Sequence, residues 1–352
     1  MIKRITVYFC LIILIAPKVF SKDFKIGTTF SQVQCEYLNL DWKNTYKEVV
    51  SMGFDIIRLG AYWNRIEKEE GRFDFSELDW QIKLAKEKNL PILFTVGMKA
   101  PRWPEYFFPD WLLKKVNIKS SSAVSDKPII RKKTLEFIRK VVERYKNEDL
   151  IIAWQVENEP LSRSGPKELW IRPDFLKEEI KLVKKLDQHP RPVVLNAMTY
   201  SNWFLRMLNR LTYSKNPIYQ TIAIAEIAAI NVYPAIGQKI IGAKICFWTE
   251  PKGRMAYLRR FVNKAREHNK PLWVTELQAE PWDPGELVHL NEKKSLTCHS
   301  DNFLMVFSEL HSLGIDTIFV WGVEYWLYRS KNFQDNSWIK AYNQIRNKNK
   351  SQ

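Results

Sequence analysis

Short apolar runs recur along this chain, separated by stretches in which apolar residues return every third or fourth position. Eight runs have the length and the β-branched content of strands: FKIGT (24–28), DIIRL (55–59), PILFTV (91–96), IIAWQ (151–155), PVVLN (192–196), AAINV (228–232), LWVTE (272–276) and DTIFVW (316–321). Most are apolar on both sides of the strand alternation, as strands of a sheet covered on both faces are. Between them lie NTYKEVVSM, SELDWQIKLAKEK, KTLEFIRKVVERYK, PDFLKEEIKLVKKL, RMAYLRRFVNKAREH and DNFLMVFSELHSL, with the periodicity of helices packed on one face. Strands alternating with helices predict an α/β fold, a single (β/α)8 TIM barrel. The competing open, doubly wound sheet would call for a glycine-rich first turn, and no GxGxxG occurs.

Two long loops leave the C-terminal ends of predicted strands three and seven, the barrel face where active sites sit. They hold APRWPEYFFPDWLL (100–113) and QAEPWDPGELVHL (278–290). Aromatic faces there suit the apolar faces of sugar rings. Phe107, Phe108 and Trp111 would serve equally well to pack the first loop onto the barrel.

The fourth run ends in WQVENEP (154–160), an apolar strand that stops on acids and a proline. The seventh ends on Glu276. Strands four and seven lie nearly across a barrel, so both carboxylates can converge on one cleft. One acid kept protonated by a less polar setting and one kept ionised by hydrogen bonds is the division that glycosidic cleavage needs. Glu36, Glu250, Glu280 and Glu324 are expected to be ordinary solvated carboxylates, with Glu36 and Glu324 near the mouth.

Asn158-Glu159-Pro160 on strand four with Glu276 on strand seven resembles the clan A retaining glycoside hydrolases, the cellulase-like and bacterial β-galactosidase-like families above all. IRLGAYWNRIEKEEGRFDFSELDWQIKLAKEKNLPILFTVG is similar to their strands two and three, and FVWGVEYW to their strand-eight end. The resemblance runs from about residue 24 to 330. It implies Glu159 as general acid/base and Glu276 as nucleophile. It further implies Asn158 on the sugar 2-hydroxyl, Arg58 beneath the nucleophile and Tyr233 bonded to it. Trp321 would floor the subsite of the attacked sugar, with Trp63 and Trp103 at neighbouring subsites. Glu157 stands where many members have an aromatic, and is expected to point into the barrel and pair with Arg58. The strand-five end, NAMTY, matches no motif.

The 352 residues suffice for one such barrel, and 45% hydrophobic content with 14 Trp fills a large core and leaves aromatics over. The basic start at Lys3 and Arg4, the apolar run 5–16 and the cleavage pattern Val19-Phe20-Ser21 predict a signal peptide over 1–21 and an exported protein. The barrel is expected over 22–345, and RNKNKSQ (346–352) as a disordered tail. The net charge of +16, of which Lys3, Arg4 and Lys18 supply +3, is spread over helix faces. Diffuse charge without a binding motif argues against nucleic acid as partner. The expected partner is a β-linked glycan, met by a monomer, with membrane contact only if the signal stays attached. No CxxC or HExxH is present, so no metal or other cofactor is called for. Outside the signal only Cys35, Cys246 and Cys298 remain, enough for one disulfide and not for a disulfide scaffold. A transglycosylase and a non-catalytic carbohydrate-binding barrel are the alternatives to a hydrolase.

Overall fold

The computed structural model describes residues 24–212, 215–240, 242–283, 295 and 297–350. The predicted signal segment lies outside them. Among the described residues there are ten strands: β1 (Lys25–Thr29), β2 (Ile56–Gly60), β3 (Ile92–Val96), β4 (Ile151–Val156), β5 (Val193–Thr199), β6 (Ile227–Val232), β7 (Ala235–Ile240), β8 (Ala243–Trp248), β9 (Leu272–Gln278) and β10 (Thr317–Trp321). Eight close into a parallel barrel in the order β1-β10-β9-β6-β5-β4-β3-β2. All eight predicted strands are in it, with ends displaced by three residues or fewer. The antiparallel hairpin β7–β8 is an insertion between β6 and the helix Pro251–Glu267, and no sequence expectation covered it.

Inward-facing residues fill the barrel in layers. Ile56, Leu93, Ala153, Val194, Ile227, Ala229 and Phe319 form an apolar plug in its centre. Gly27 has no side chain because a Cβ there would lie 2.5 Å from the Phe319 ring, which occupies that space. Two residues further along the strands the same inward face turns polar: Thr29, Arg58, Gln155, Asn196, Asn231 and Thr275 are all buried. Because a strand repeats every two residues, the plug fixes the position of this polar layer at the C-terminal end. Outside the strands, a continuous apolar shell joins them to the helices.

The sequence pattern missed several helices. Trp203–Thr212 and Pro217–Ile224 lie between β5 and β6. The first is amphipathic but only ten residues long, with Trp203, Met207, Leu208 and Leu211 exposed, and the second has almost no polar residue and so no clean amphipathic period. The predicted disordered tail from residue 346 is also corrected, since a helix runs from Ser337 to Lys350. It is held by buried Trp338, Ala341, Tyr342 and Ile345, spaced three, one and three apart on one face.

Between Val96 and Pro128 the chain forms only a short helix, Asp110–Leu113, and one 3-10 turn. Most of the predicted second long loop, from residue 284 onwards, lies outside the described residues. Phe107 and Phe108 are buried, and Trp111 packs against the core and donates its indole N–H to the Glu67 carbonyl (2.9 Å). Among the described residues no helix is long and apolar enough to cross a membrane. Cys35, Cys246 and Cys298 are all free thiols, so the disulfide that three cysteines allowed is not formed.

Candidate active site

Glu276 sits in β9, the seventh barrel strand. Against β6, Ile230 pairs with Val274 but Asn231 pairs with Glu276, and against β10 the register slips in the same place. Thr275 is therefore an extra residue, a bulge that lets Thr275 and Glu276 both turn toward the barrel interior. The Glu276 carboxylate accepts from Arg58 Nη1 (2.8 Å) and from the Tyr233 hydroxyl (2.6 Å). Arg58 is fully buried, and it also donates to Gln155 Oε1 (2.8 Å) and Asn158 Oδ1 (2.7 Å). Burial and the Glu276 charge push the Tyr233 phenol well above its ordinary range, so Tyr233 is a lasting donor.

Glu159 follows β4 in a turn with two left-handed residues, Glu157 (φ 63°) and Glu159 (φ 45°). Its carboxyl accepts from Asn231 Nδ2 (2.6 Å), and its backbone N–H donates to Asn196 Oδ1 (2.7 Å). Burial, then the facing Glu276 charge, push this carboxyl up to about 8, against a smaller opposing pull from Lys99. The pair thus comprises one carboxyl pushed upward by its enclosure and one bonded to the Arg58 cation. Asn158 Oδ1 is taken by Arg58 and by Asn196 Nδ2 (2.9 Å). Its amide N–H groups have no protein acceptor among the described residues.

Glu157 does not enter the barrel, contrary to expectation. The left-handed backbone at Glu157 breaks the strand alternation, and its carboxylate accepts the backbone N–H groups of Met98 (2.9 Å) and Lys99 (2.6 Å). A Cβ on Gly97 would lie 2.2 Å from Glu157 Oε1. Glycine there makes room for the carboxylate, which in turn fixes the loop after β3 to the turn after β4.

Trp321, at the end of β10, is buried beside Tyr233, Met198 and Ile236. The Arg102 guanidinium lies 3.9 Å from the Trp321 ring centroid. Arg102 is ion-paired with Glu280 and with Glu324 (2.9 Å). These two acids are not solvated, as the sequence suggested, but fully enclosed. Glu280 is pushed up to about 7 and Glu324 also upward, in both cases by burial first. Glu36 pairs with Arg65 (2.9 Å) on the surface, and Glu250 is exposed before the helix Pro251–Glu267.

Trp63 is removed from the candidate sugar contacts. It is fully buried, stacked on Phe137 (5.1 Å, 13°) and bonded to Glu67 through its indole N–H (2.7 Å). Trp103 is 48% exposed on the loop after β3, open to solvent. Arg58, Asn158, Glu159, Tyr233, Glu276 and Trp321 are brought together.

Asn196, Asn231, Gln155, Thr275 and Lys99 escaped the sequence reading. The signal for the first four was a polar residue two places after a buried apolar one on an inward face. Asn196 is the N of NAMTY. Among the described residues no group of His, Cys, Asp or Glu is arranged to hold a metal.

The family model described as beta-galactosidase, glycoside hydrolase family 42, matches residues 36–203. Beta-galactosidase BbgII of Bifidobacterium bifidum is 28% identical over 131 residues, which are 34% of this chain and 18% of that protein. The putative mannan endo-1,4-beta-mannosidase 4 of Arabidopsis thaliana is 23% identical over 246 residues, 62% of this chain and 58% of that one. The beta-galactosidase structure from Halorubrum lacusprofundi superimposes with a TM-score of 0.57 at 14% identity, over 84% of this chain and 52% of that chain. The barrel fold is shared with that structure. The chain spans about a fifth of the bifidobacterial relative and about half of the archaeal one.

Proposed function

We propose that this chain is a β-glycoside hydrolase that cleaves poly- or oligosaccharides with retention of configuration. The carrying observation is the unequal pair itself: Glu159 enclosed and pushed upward by burial and by the Glu276 charge, with Glu276 held by Arg58 and Tyr233. In the first step the Glu159 proton passes to the glycosidic oxygen while Glu276 attacks the anomeric carbon, forming a covalent glycosyl-enzyme. In the second, the Glu159 carboxylate takes a proton from water, the water oxygen attacks the same carbon, and Glu276 leaves. Arg58 and Tyr233 hold the Glu276 carboxyl in place and aimed, and the free amide of Asn158 is available for the sugar 2-hydroxyl. Trp321 supplies an apolar wall beside the pair, and exposed Trp103 a contact further out. No cofactor enters either step.

The test is sugar release from aryl β-glycosides and β-linked polysaccharides, including β-galactosides and mannan, by the protein and by Glu276→Gln. The expected result is activity that Glu276→Gln abolishes, with the β-anomer as first product by NMR. An α-anomer first, or activity that survives Glu276→Gln, refutes the mechanism. Products longer than the starting oligosaccharide would reveal a transglycosylase working with the same acids. Binding without cleavage would identify a carbohydrate-binding barrel.

A further inference from the structure

Beside Trp321 lies a buried ionic cluster that neither step of the reaction uses. Its centre is Arg102, on the loop after β3, with 4% of its surface exposed. Nη1 pairs with Glu280, and Nη2 donates to Glu324 (2.9 Å). Glu280 follows β9 and Glu324 follows β10. The strand order puts β3 opposite β9, so the Arg102 side chain joins the loops of facing strands across the barrel mouth. Both acids are also held from the segment after β1. The Gln34 amide donates to Glu280 (3.3 Å), and the Ser31 N–H donates to Glu324 (2.6 Å).

The guanidinium also covers Trp321. Its central carbon lies 3.9 Å from the ring centroid. An atom in the plane of the ring comes no nearer than roughly 5 Å, so Arg102 sits over a face. The indole N–H edge is engaged too, as a donor to the Glu280 carboxyl. A sugar stacking on this ring can therefore meet only the other face. Trp321 shares an apolar cluster with Tyr233, which bonds the nucleophile (2.6 Å). Fold stability gives little reason for the arrangement. Three charged side chains are enclosed, Arg102 Nε has no acceptor among the described residues, and the Arg102 backbone is left-handed (φ 100°). Buried ion triads are often no more stabilising than apolar residues of the same volume, and unpaired groups and strained backbone gather where a site needs them. We infer that Arg102 is a positioning residue: with Glu280 and Glu324 it holds the Trp321 ring in one plane as a wall for the sugar under attack, which rests on the glycosidase reading of the cleft. An oxocarbenium-like transition state flattens that sugar, so a wall fixed in its plane contributes most there.

The experiment compares the full wild-type chain with Arg102→Lys, Arg102→Met/Glu324→Gln, Trp321→Ala and Arg102→Lys/Trp321→Ala. Lysine keeps the charge but has no planar fork to lie on the ring and join both acids. The Arg102→Met/Glu324→Gln variant removes one charge of each sign and leaves Glu280, the indole's own partner, in place. Trp321→Ala assigns the Trp321 indole N–H signal in NMR spectra. The expected result is a Trp321 signal that broadens or splits in both Arg102 variants, as the ring samples further orientations. The signals of Trp63 and Trp154, bonded elsewhere to Glu67 and Asp187, should stay in place. On an aryl β-glycoside kcat should fall roughly ten- to a hundredfold with KM less affected. Arg102→Lys should cost little more once Trp321 is alanine, because it acts through that ring. A sharp, unmoved Trp321 signal in a variant that melts like wild type overturns the clamp. So do losses that multiply in Arg102→Lys/Trp321→Ala, which would mean that Arg102 acts apart from Trp321. If Arg102→Lys fails to fold, Arg102→Met/Glu324→Gln carries the same test. A wild type that releases no sugar refutes the hydrolase reading, and the indole signals still decide the clamp, since they need no turnover.

Discussion

Lys99 offers a direct handle on the proton of Glu159. It is fully buried, its ammonium donates to the Glu159 backbone carbonyl (2.8 Å), and it pairs with Glu105 (3.1 Å). Its positive charge pulls the Glu159 carboxyl down, and Glu105 pushes it up. A unit charge ~6 Å away at an effective dielectric of ~20 amounts to roughly 2–3 kcal/mol, or up to ~2 pH units. The adjacent Glu105 cancels part of this, leaving on the order of one unit. Lys99→Met should therefore move the alkaline limb of the kcat/KM profile upward from its starting point near 8. Glu105→Gln should move it downward. The assay is kcat/KM against pH on a poorly activated aryl glycoside, whose departure needs the proton. A purely structural role would lower the whole profile without displacing the limb. Limbs that stay in place in both variants, or move in the same direction, refute the electrostatic argument.

Two further predictions concern the turn that carries Glu159. Glu157 is pushed up to about 7 by burial, and Glu179 well above its ordinary range by burial and then by Glu157 facing it. Apart from a proton shared with Glu157, no donor among the described residues reaches Glu179. Both groups keep protons that the unfolded chain has already released, so the stability they confer below pH ~4.5 is lost as pH rises through about 7. Glu179→Gln should show a smaller fall in melting temperature between pH 5 and 8 than wild type, by roughly a few degrees. An equal fall counts against the shared proton. Gly97→Ala must place a methyl against the Glu157 carboxylate at a backbone angle of φ 125°, and should cost roughly 2–4 kcal/mol in urea unfolding together with most activity. Wild-type stability and turnover in that variant would mean that Glu157 does not brace the turn.

The barrel was legible because its signal is local. Each strand announces itself as a short β-branched run, and the helices that cover it repeat every three or four residues. Glu159 and Glu276 were legible because each stands at the C-terminal end of an apolar strand, in a motif that resembles a known pair. Of the helices between β5 and β6, Pro217–Ile224 was hidden because it has almost no polar residue to mark a period, and Trp203–Thr212 because it is short.

Side-chain direction after a strand was decided only in three dimensions. One bulge at Thr275 and two left-handed residues at 157 and 159 determine which acids face the cleft and which face away. Those backbone departures exist because neighbours compensate them: Gly97 vacates space for Glu157, and Asn196 and Asn231 accept or supply the bonds around Glu159. Trp63 and Trp103 look alike in the chain, yet one lies in the core and the other in water. The sequence by itself determined the period of each element and hence the layers of the barrel. The tertiary structure decided the protonation of the pair, because burial and charge at Glu159 come from residues 60 to more than 100 positions away, Lys99 and Glu276 among them.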